Sequence, residues 1–471
     1  MAHQTIADFR GGLDVRKGIR AGTPGTFFDG LNVHINSGGQ IENRLALVPW
    51  AVVPANSYGL AASATKLYVF GPTASPALPS NMIYQAMTHP SAHALVRIRD
   101  ADMFQGKPYV LAEFANGDVL HFYDGASVTA WAPAGTLYGQ KAVACVTLGE
   151  KVYAIAGNTL HFCEVGDPTK WGTATNGAGN IDLSTNLGGS ESLTGIAVYI
   201  DRLAVFSGTA AQIWSVDPDP DKNFLVQTIP NMGALAAMAT IPYGESDVFV
   251  LTRSGVRSLR VREMSQTNLA TTYDIGAPID DLIRAAVRGM ADVTRACAAV
   301  EPLWSRYLIA LGQTVYAFSY FPASKVSAWS PYDFGGAVDA FAVLGNQLYV
   351  RIGAGVYLLG GENGATYDTS PYEAVLPFMD GQSPYTIKAL DGIDVGCQGR
   401  WDIDAGANPK RPDERVNIAN IQDSTWGDGR IPVGINGTHV GLRFHGRSPQ
   451  KAVLESVVLH YTPFDDKDNG A

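Results

Sequence analysis

At 471 residues, 46% of them apolar and 17% charged, the chain can bury a sizeable core; wholesale disorder is excluded, and two or three domains, or one large repetitive β-structure with an appendage, fit the length. Its 51 glycines and 26 prolines are spread along the chain beside 20 Tyr and 18 Phe, the make-up of many short strands joined by tight turns. The formal charge is −10, and the basic stretches go no further than Arg16-Lys17 with Arg20, and Lys410-Arg411. That argues against tight duplex binding, which needs phosphates neutralised by Lys and Arg, but leaves open a surface that conducts a polyanion without holding it.

The first residues, Met1 to Thr5, show no basic segment followed by an apolar run, so no signal peptide is expected. No uncharged apolar run reaches the length of about 18 residues that a membrane anchor needs. Residues 11–50 hold paired glycines, an alternating strand Leu31-Asn32-Val33-His34-Ile35, a Ser37-Gly38-Gly39 turn and a return strand ending near Arg44. They read as an N-terminal arm and strand pair, residues 1–50.

From residue 51 to 361 one shape recurs. An apolar-aromatic strand, a short turn and a second such strand appear at Gly71, Gly117, Gly157, Gly208, Gly255, Gly312 and Gly353, at intervals of 40 to 57 residues with a mean of 47. Glycine-containing turns reach the positive φ of tight hairpins, and a four-stranded propeller blade takes about 40 to 50 residues. Upstream of several turns lies a strand of small and aliphatic residues, such as 141–150 and 192–201, suited to crowding near a central axis. The expected fold is all-β, a β-propeller of six or seven blade-like units. A plain antiparallel sandwich is the alternative, but it has no reason to repeat one hairpin at one spacing.

Residues 278–293 break the β pattern. Ile279, Leu282, Ile283, Ala286, Val287 and Met290 share one helical face, with Pro278 at the start and Asp280 and Asp281 in the first turn, where carboxylates suit the helix dipole. This is an inserted helix that stretches the longest interval. Residues 362–471 carry longer alternating strands and read as a C-terminal antiparallel β-domain, sandwich-like. In it Val453, Glu455, Val457 and Leu459 fall on one strand face and Leu454, Ser456, Val458 and His460 on the other, before a polar tail at 465–470.

Chemistry-bearing motifs are sparse. No nucleophile elbow, H-E-x-x-H, P-loop or dinucleotide fingerprint is present. Cys145, Cys163, Cys297 and Cys397 match no metal spacing and read as reduced buried thiols. Asp217, Asp219 and Asp221 alternate with prolines but lack the glycine turn and distal Glu of a calcium loop, and read as a solvated acidic loop. The reading is of no enzyme, no catalytic residue, no metal and no cofactor. The aromatic Trp171, Trp214 and Trp329 leave a carbohydrate-binding propeller, a host-glycan adhesin, as the alternative.

The opening segment resembles the N-terminus of the tail nozzle proteins of short-tailed bacteriophages, also called tail tubular protein B or tail stabilisation proteins. The likeness lies in Gly11, Gly12, Leu13, Asp14, Asn32, Val33, Ile35, Gly38, Gly39 and Arg44. The resemblance implies a structural protein of the virion tail, assembled in the host cytoplasm. It would form a homo-oligomeric, hexameric ring docked below a portal or adaptor protein. Such a ring extends the DNA channel, retains packaged double-stranded DNA without specific binding, and supports tail fibres or tailspikes. Asp14, Arg16, Lys17 and Arg44 are then the expected assembly contacts of an exposed arm.

Overall fold

The computed structural model describes residues 2–464 apart from 73–76, 129–136, 138, 173–176, 187–190, 262–269 and 428; the polar tail at 465–470 lies outside them. Seven small sheets are built consecutively along the chain. Blade 1 holds strands 58–62, 67–71 and 82–86. Blade 2 holds 95–104, 107–114, 119–123 and 126–127. Blade 3 holds 144–148, 151–156, 159–162 and 179–182, and blade 4 holds 193–199, 202–207, 210–215 and 224–230. Blade 5 runs over 240–243, 247–252, 255–261 and 270–273, blade 6 over 297–301, 306–311, 314–321 and 326–333, and blade 7 over 340–344, 347–352 and 355–359. The first strand of each blade touches the first strand of the next, and that of blade 7 returns to blade 1, so the ring is closed. The protein is a seven-bladed β-propeller.

Six of the seven recurring turns join the second and third strands of a blade, as hairpins require. Blade 1 differs. Gly71 ends a strand instead of turning it, and the next strand, 82–86, runs parallel to 67–71. Prolines at 72, 76 and 79 occupy the connection between them, and a parallel partner needs a longer crossover than a two-residue turn.

Blade 7 takes its fourth strand from the other end of the chain. Leu47–Val52 pairs antiparallel with Gly355–Leu359, so the propeller begins at Leu47 instead of 51. Pro49 is accommodated because this is an edge strand with a register irregularity opposite Tyr357. Six of the seven gaps between blades are each filled by their own apolar cluster: Phe70 with Val110 between blades 1 and 2, Leu111 with Trp171 between 2 and 3, Leu160 with Leu203 between 3 and 4, Phe206 with Val248 between 4 and 5. Leu308 with Val350 fills the gap between blades 6 and 7, and Tyr349 with Leu67 that between 7 and 1.

The seventh gap, between blades 5 and 6, is different. Phe249, Tyr307, Phe318 and Trp329 there belong to the same cluster as Val33, Trp401, Phe444 and Val457 of a second, ten-stranded sheet, and as Phe9 and Phe27 of the N-terminal segment beside it. That sheet is not made by the C-terminal residues alone. Strands 2–6, 29–31, 33–35 and 41–43 from the N-terminal segment are woven into it, the first pairing with 457–461 and 29–31 with 373–375. The expected free arm therefore supplies four of the ten strands of a base shared by both ends of the chain. Its spine is the 19-residue strand 388–406, whose first half lies between 453–463 and 431–437 and whose second half lies between 441–447 and 416–423.

Simple alternation fails in strand 453–463. The register slips at Glu455, so Leu454 and not Val453 pairs with Cys397 while Ser456 pairs with Gly396; this bulge puts Leu454, Val457 and Leu459 together in the core. The helix forms as expected, at Asp280–Gly289, between blades 5 and 6. Arg257 of blade 5 fixes its start through two bonds to Asp280, at 2.9 and 2.8 Å.

A chain lacking residues 1–30 loses strands 2–6 and 29–31 in part and three fully buried anchors, Phe9, Leu13 and Phe27. Since one buried Phe contributes about 3–5 kcal/mol, the truncated chain is expected to show no cooperative melting of the base in circular dichroism, and not a folded propeller with a missing arm.

Candidate functional site: the interlock and the axial chambers

Of the four expected contact residues, three lie together at the surface and one is buried elsewhere. Asp14 and Arg16 form a bidentate pair at 2.9 and 2.7 Å. Arg16 holds the Asp14 carboxyl below its ordinary range through that bond, against the opposing pull of partial burial. Lys17 reaches Thr23 at 3.4 Å. Val15 donates its backbone N–H to Pro278 at 3.0 Å, so this exposed cluster is pinned beside the inserted helix.

Arg44 is not an exposed contact. It is 6% exposed and spends its guanidinium inside the chain. Nε donates to Asn32 Oδ1 at 2.8 Å, one terminal nitrogen to Leu45 O at 2.7 Å and Asp368 at 3.3 Å, and the other to Ser370 at 2.7 Å. Asn32 is the second half of this node. Its φ of +51° is a left-handed conformation that Asn tolerates better than most residues. From there its side chain donates to Pro371 O at 2.8 Å and accepts from the Asp333 N–H at 2.8 Å. Arg44 and Asn32 thus join the base, the outer strand of blade 6 and the start of the closing strand. Gly12 serves the same junction: at φ +58° a Cβ there would lie 2.7 Å from the Ala328 Cβ and 2.8 Å from the Trp329 carbonyl of blade 6.

The propeller axis contains a chamber of ≈400 Å³ lined by first strands or their approaches from all seven blades, among them Leu60, Ala101, Val146, Ala197, Thr240, Ala298 and Phe341. Small and aliphatic residues crowd the axis as their pattern implied. Two carboxylates do not fit that pattern. Asp100 and Asp102 of blade 2 reach across to blade 3 and accept the backbone N–H of Cys145 at 2.9 Å and of Thr147 at 2.6 Å. They replace sheet-like pairing between two blades with side-chain bonds. Burial pushes the Asp100 carboxyl up to about 7, with the Cys145 bond opposing and the neighbouring Asp102 adding to the rise. Asp102 is raised by burial as well. Both keep part of their surface open to the chamber.

A second chamber of ≈630 Å³ adjoins it, lined by Tyr58, Met238, Ala286, Met290 and Arg351 among others; Gly59, Ile98 and Met238 line both. The end of the helix and the residues that follow roof this space. Arg97 of blade 2 holds that roof, donating to Asp292 at 3.2 Å, Thr294 Oγ1 at 2.8 Å and Thr294 O at 2.6 Å.

The tryptophans on which the carbohydrate-binding alternative would rest are sealed into blades. Trp171 and Trp329 are fully buried and Trp214 is 7% exposed; their indole N–H groups donate to Pro168 O, Ile275 O and Gln212 Oε1. In the Asp217–Asp221 loop the carboxylates bind their own backbone, Asp217 accepting from the Asp219 N–H at 2.9 Å and Asp219 from that of Asp221 at 3.2 Å. Among the described residues no group of three His, Cys, Asp or Glu is placed to hold a metal ion, and no helix is long and apolar enough to cross a membrane. The four cysteines are unpaired and buried.

No family model matches the sequence, and none of the curated proteins matches it. Solved structures that are similar to it include the WD40 β-propeller domain of Doa1, at 10% identity and TM-score 0.40 over 68% of this chain and 98% of that one. The β-propeller domain of Cps50 (Swd1) from Myceliophteria thermophila matches at 9% identity and TM-score 0.40 over 71% and 98%. PorZ of Porphyromonas gingivalis matches at 13% identity and TM-score 0.38 over 72% of this chain; the match takes in 43% of the PorZ chain, less than half of its length. The assignment of seven blades rests on the strand pairing itself.

Two outcomes are expected. Arg44→Ala strands Asn32, Asp368 and Ser370 in or beside the core, and should lower the unfolding free energy in urea by about 3 kcal/mol; Arg16→Ala, an exposed pair, should cost under about 1 kcal/mol. Asp100 titrates higher folded than unfolded, so its contribution to stability is complete below about pH 4 and declines as pH rises through 7. Asp100→Asn should flatten that decline by on the order of 1–2 kcal/mol, less than the full shift implies because water in the chamber screens the charge.

Proposed function

We propose that this chain is a structural subunit of a short-tailed bacteriophage tail. In this reading it forms a hexameric nozzle ring below the adaptor that extends the DNA channel, retains packaged DNA and supports fibres or spikes. The observation that carries the reading is the use the fold makes of the opening segment. Gly12, Asn32 and Arg44 are among the residues through which the family resemblance runs, and they also bolt the propeller to its base. A subunit under the pressure of packaged DNA needs that rigidity between its halves.

The propeller axis is not the DNA path in this proposal. Met238 lines both chambers, the end of the helix roofs the second, and the two spaces are of small-molecule size. The conduit is the lumen of the ring, walled by several copies. A net charge of −10 on each copy disfavours phosphate adhesion wherever carboxylates face that lumen. Exposed Arg16 and Lys17, with the largely covered Asp14 between the arm and Arg16, are held beside the helix and supply a surface for the adaptor or the neighbouring copy.

Electron microscopy of the purified chain, with and without adaptor protein, tests the proposal. Closed rings of six copies, and gold label against this chain at the tails of intact particles, are the expected result. Monomers at every concentration together with unlabelled tails would sink the proposal.

A further inference from the structure

Away from both chambers, a cavity of ≈290 Å³ opens where three parts of the molecule meet. It is lined by Asn36, Gln40 and Glu42 of the N-terminal hairpin, Trp304 and Phe321 of blade 6, and Lys451 of the base, with His34 and Arg306 among the other residues around it. Trp304 lies in the turn between the first two strands of blade 6 and is 46% exposed. Most tryptophans with a large apolar body are kept from water, and one left half open over a polar recess is the feature that needs explaining.

The charges around the recess cancel. Glu42 takes Lys451 at 2.9 Å, and Arg306 is paired with Glu301 at 2.7 Å. Glu42 is held further by Tyr367 at 2.8 Å and by Asn36 at 3.1 Å, and Asn36 also donates to Gln40 Oε1 at 3.0 Å. These bonds stiffen a carboxylate-amide cluster while leaving the Gln40 amide nitrogen, the other Lys451 protons and the exposed Ser37 hydroxyl outside it. His34, beside them, has a buried Nδ1 with no hydrogen-bond partner. A small, neutral-overall recess with one exposed indole and spare polar groups selects a ligand that is apolar on one face and hydroxylated at its edges.

We propose that this recess binds one neutral pyranose ring of a saccharide, stacked by its C–H face on Trp304 and hydrogen-bonded through its hydroxyls to Gln40 and Lys451. The volume sits at the lower end of small-molecule sites and suits a single ring with its neighbours outside. An anionic sugar is disfavoured because no cation in the recess lacks a counter-charge. The inference is independent of ring formation: a nozzle subunit and an isolated propeller would present the recess alike.

The full-length chain is titrated with glucose, galactose, N-acetylglucosamine and their β-linked dimers, followed by tryptophan fluorescence and calorimetry. At least one sugar is expected to saturate with a dissociation constant of about 1 mM or below. Trp304→Ala should weaken it tenfold or more, Gln40→Ala and Lys451→Met several-fold, and Trp304→Phe by less than Trp304→Ala. Trp426→Ala, which removes another exposed indole, should leave it unchanged. Melting curves establish that each variant is folded. Absence of saturable binding across the panel overturns the proposal, as does binding unchanged in Trp304→Ala. Loss of self-association in Trp304→Ala without any sugar binding would assign Trp304 to a contact between copies and likewise overturn it.

Discussion

The hydrogen bonds that Arg44 and Asn32 make are the constraint on which the rest of the architecture turns. A propeller alone has seven equivalent gaps, and a base sheet could lie beneath any of them. Here the gap between blades 5 and 6 is continuous with the base core, and Asn32 ties the same blade to strand 371–375 and to Arg44. Both side chains are buried and polar, so each bond lost leaves a desolvated partner behind, and the geometry tolerates few alternatives. The closing strand starts three residues after Arg44, which makes the bolt and the closure of the ring parts of one device.

Much of the propeller was legible because its signals are local. A hairpin turn needs residues that accept positive φ, and an inner strand needs small side chains; both leave marks at the residue level, as at Gly157, Gly312 and the strand 144–148. The helix at 280–289 was legible for the same reason. Pairings between distant segments leave no such mark. Nothing in Leu47–Val52 announces that its partner lies some 300 residues away, and nothing in Ala2–Ile6 points to 457–461. Blade 1 departs from the hairpin pattern at Gly71, a turn residue by composition that ends a strand and lies under the Tyr84 ring, which would collide with any Cβ there.

At the site level the outcome followed burial. Arg44 ends a polar run, but charge alone does not say whether water or a carbonyl receives it. The run 97–102 carries two arginines and two aspartates in a strand next to an axis: charges so crowded need partners from neighbouring elements, and Asp100 and Asp102 find them on blade 3. Trp304 gave less warning, since Leu303 and Trp304 in a turn look in sequence like any hairpin tip; only the hairpin 33–43 and Lys451 arriving from elsewhere turn that tip into the wall of a recess.

The origin of the fourth strand of blade 7 has a consequence for synthesis at the ribosome. Leu47–Val52 emerges early and has no ladder to join until Gly355–Leu359 has been made. For most of translation its backbone groups, and those of Ala2–Ile6, are open to any passing strand, so the nascent chain is most prone to mispairing before its last third is complete. Blades 2 to 6, built from contiguous residues, need no such distant partner, whereas pairing Leu47–Val52 with Gly355–Leu359 closes a loop of some 300 residues, the slow kind of contact.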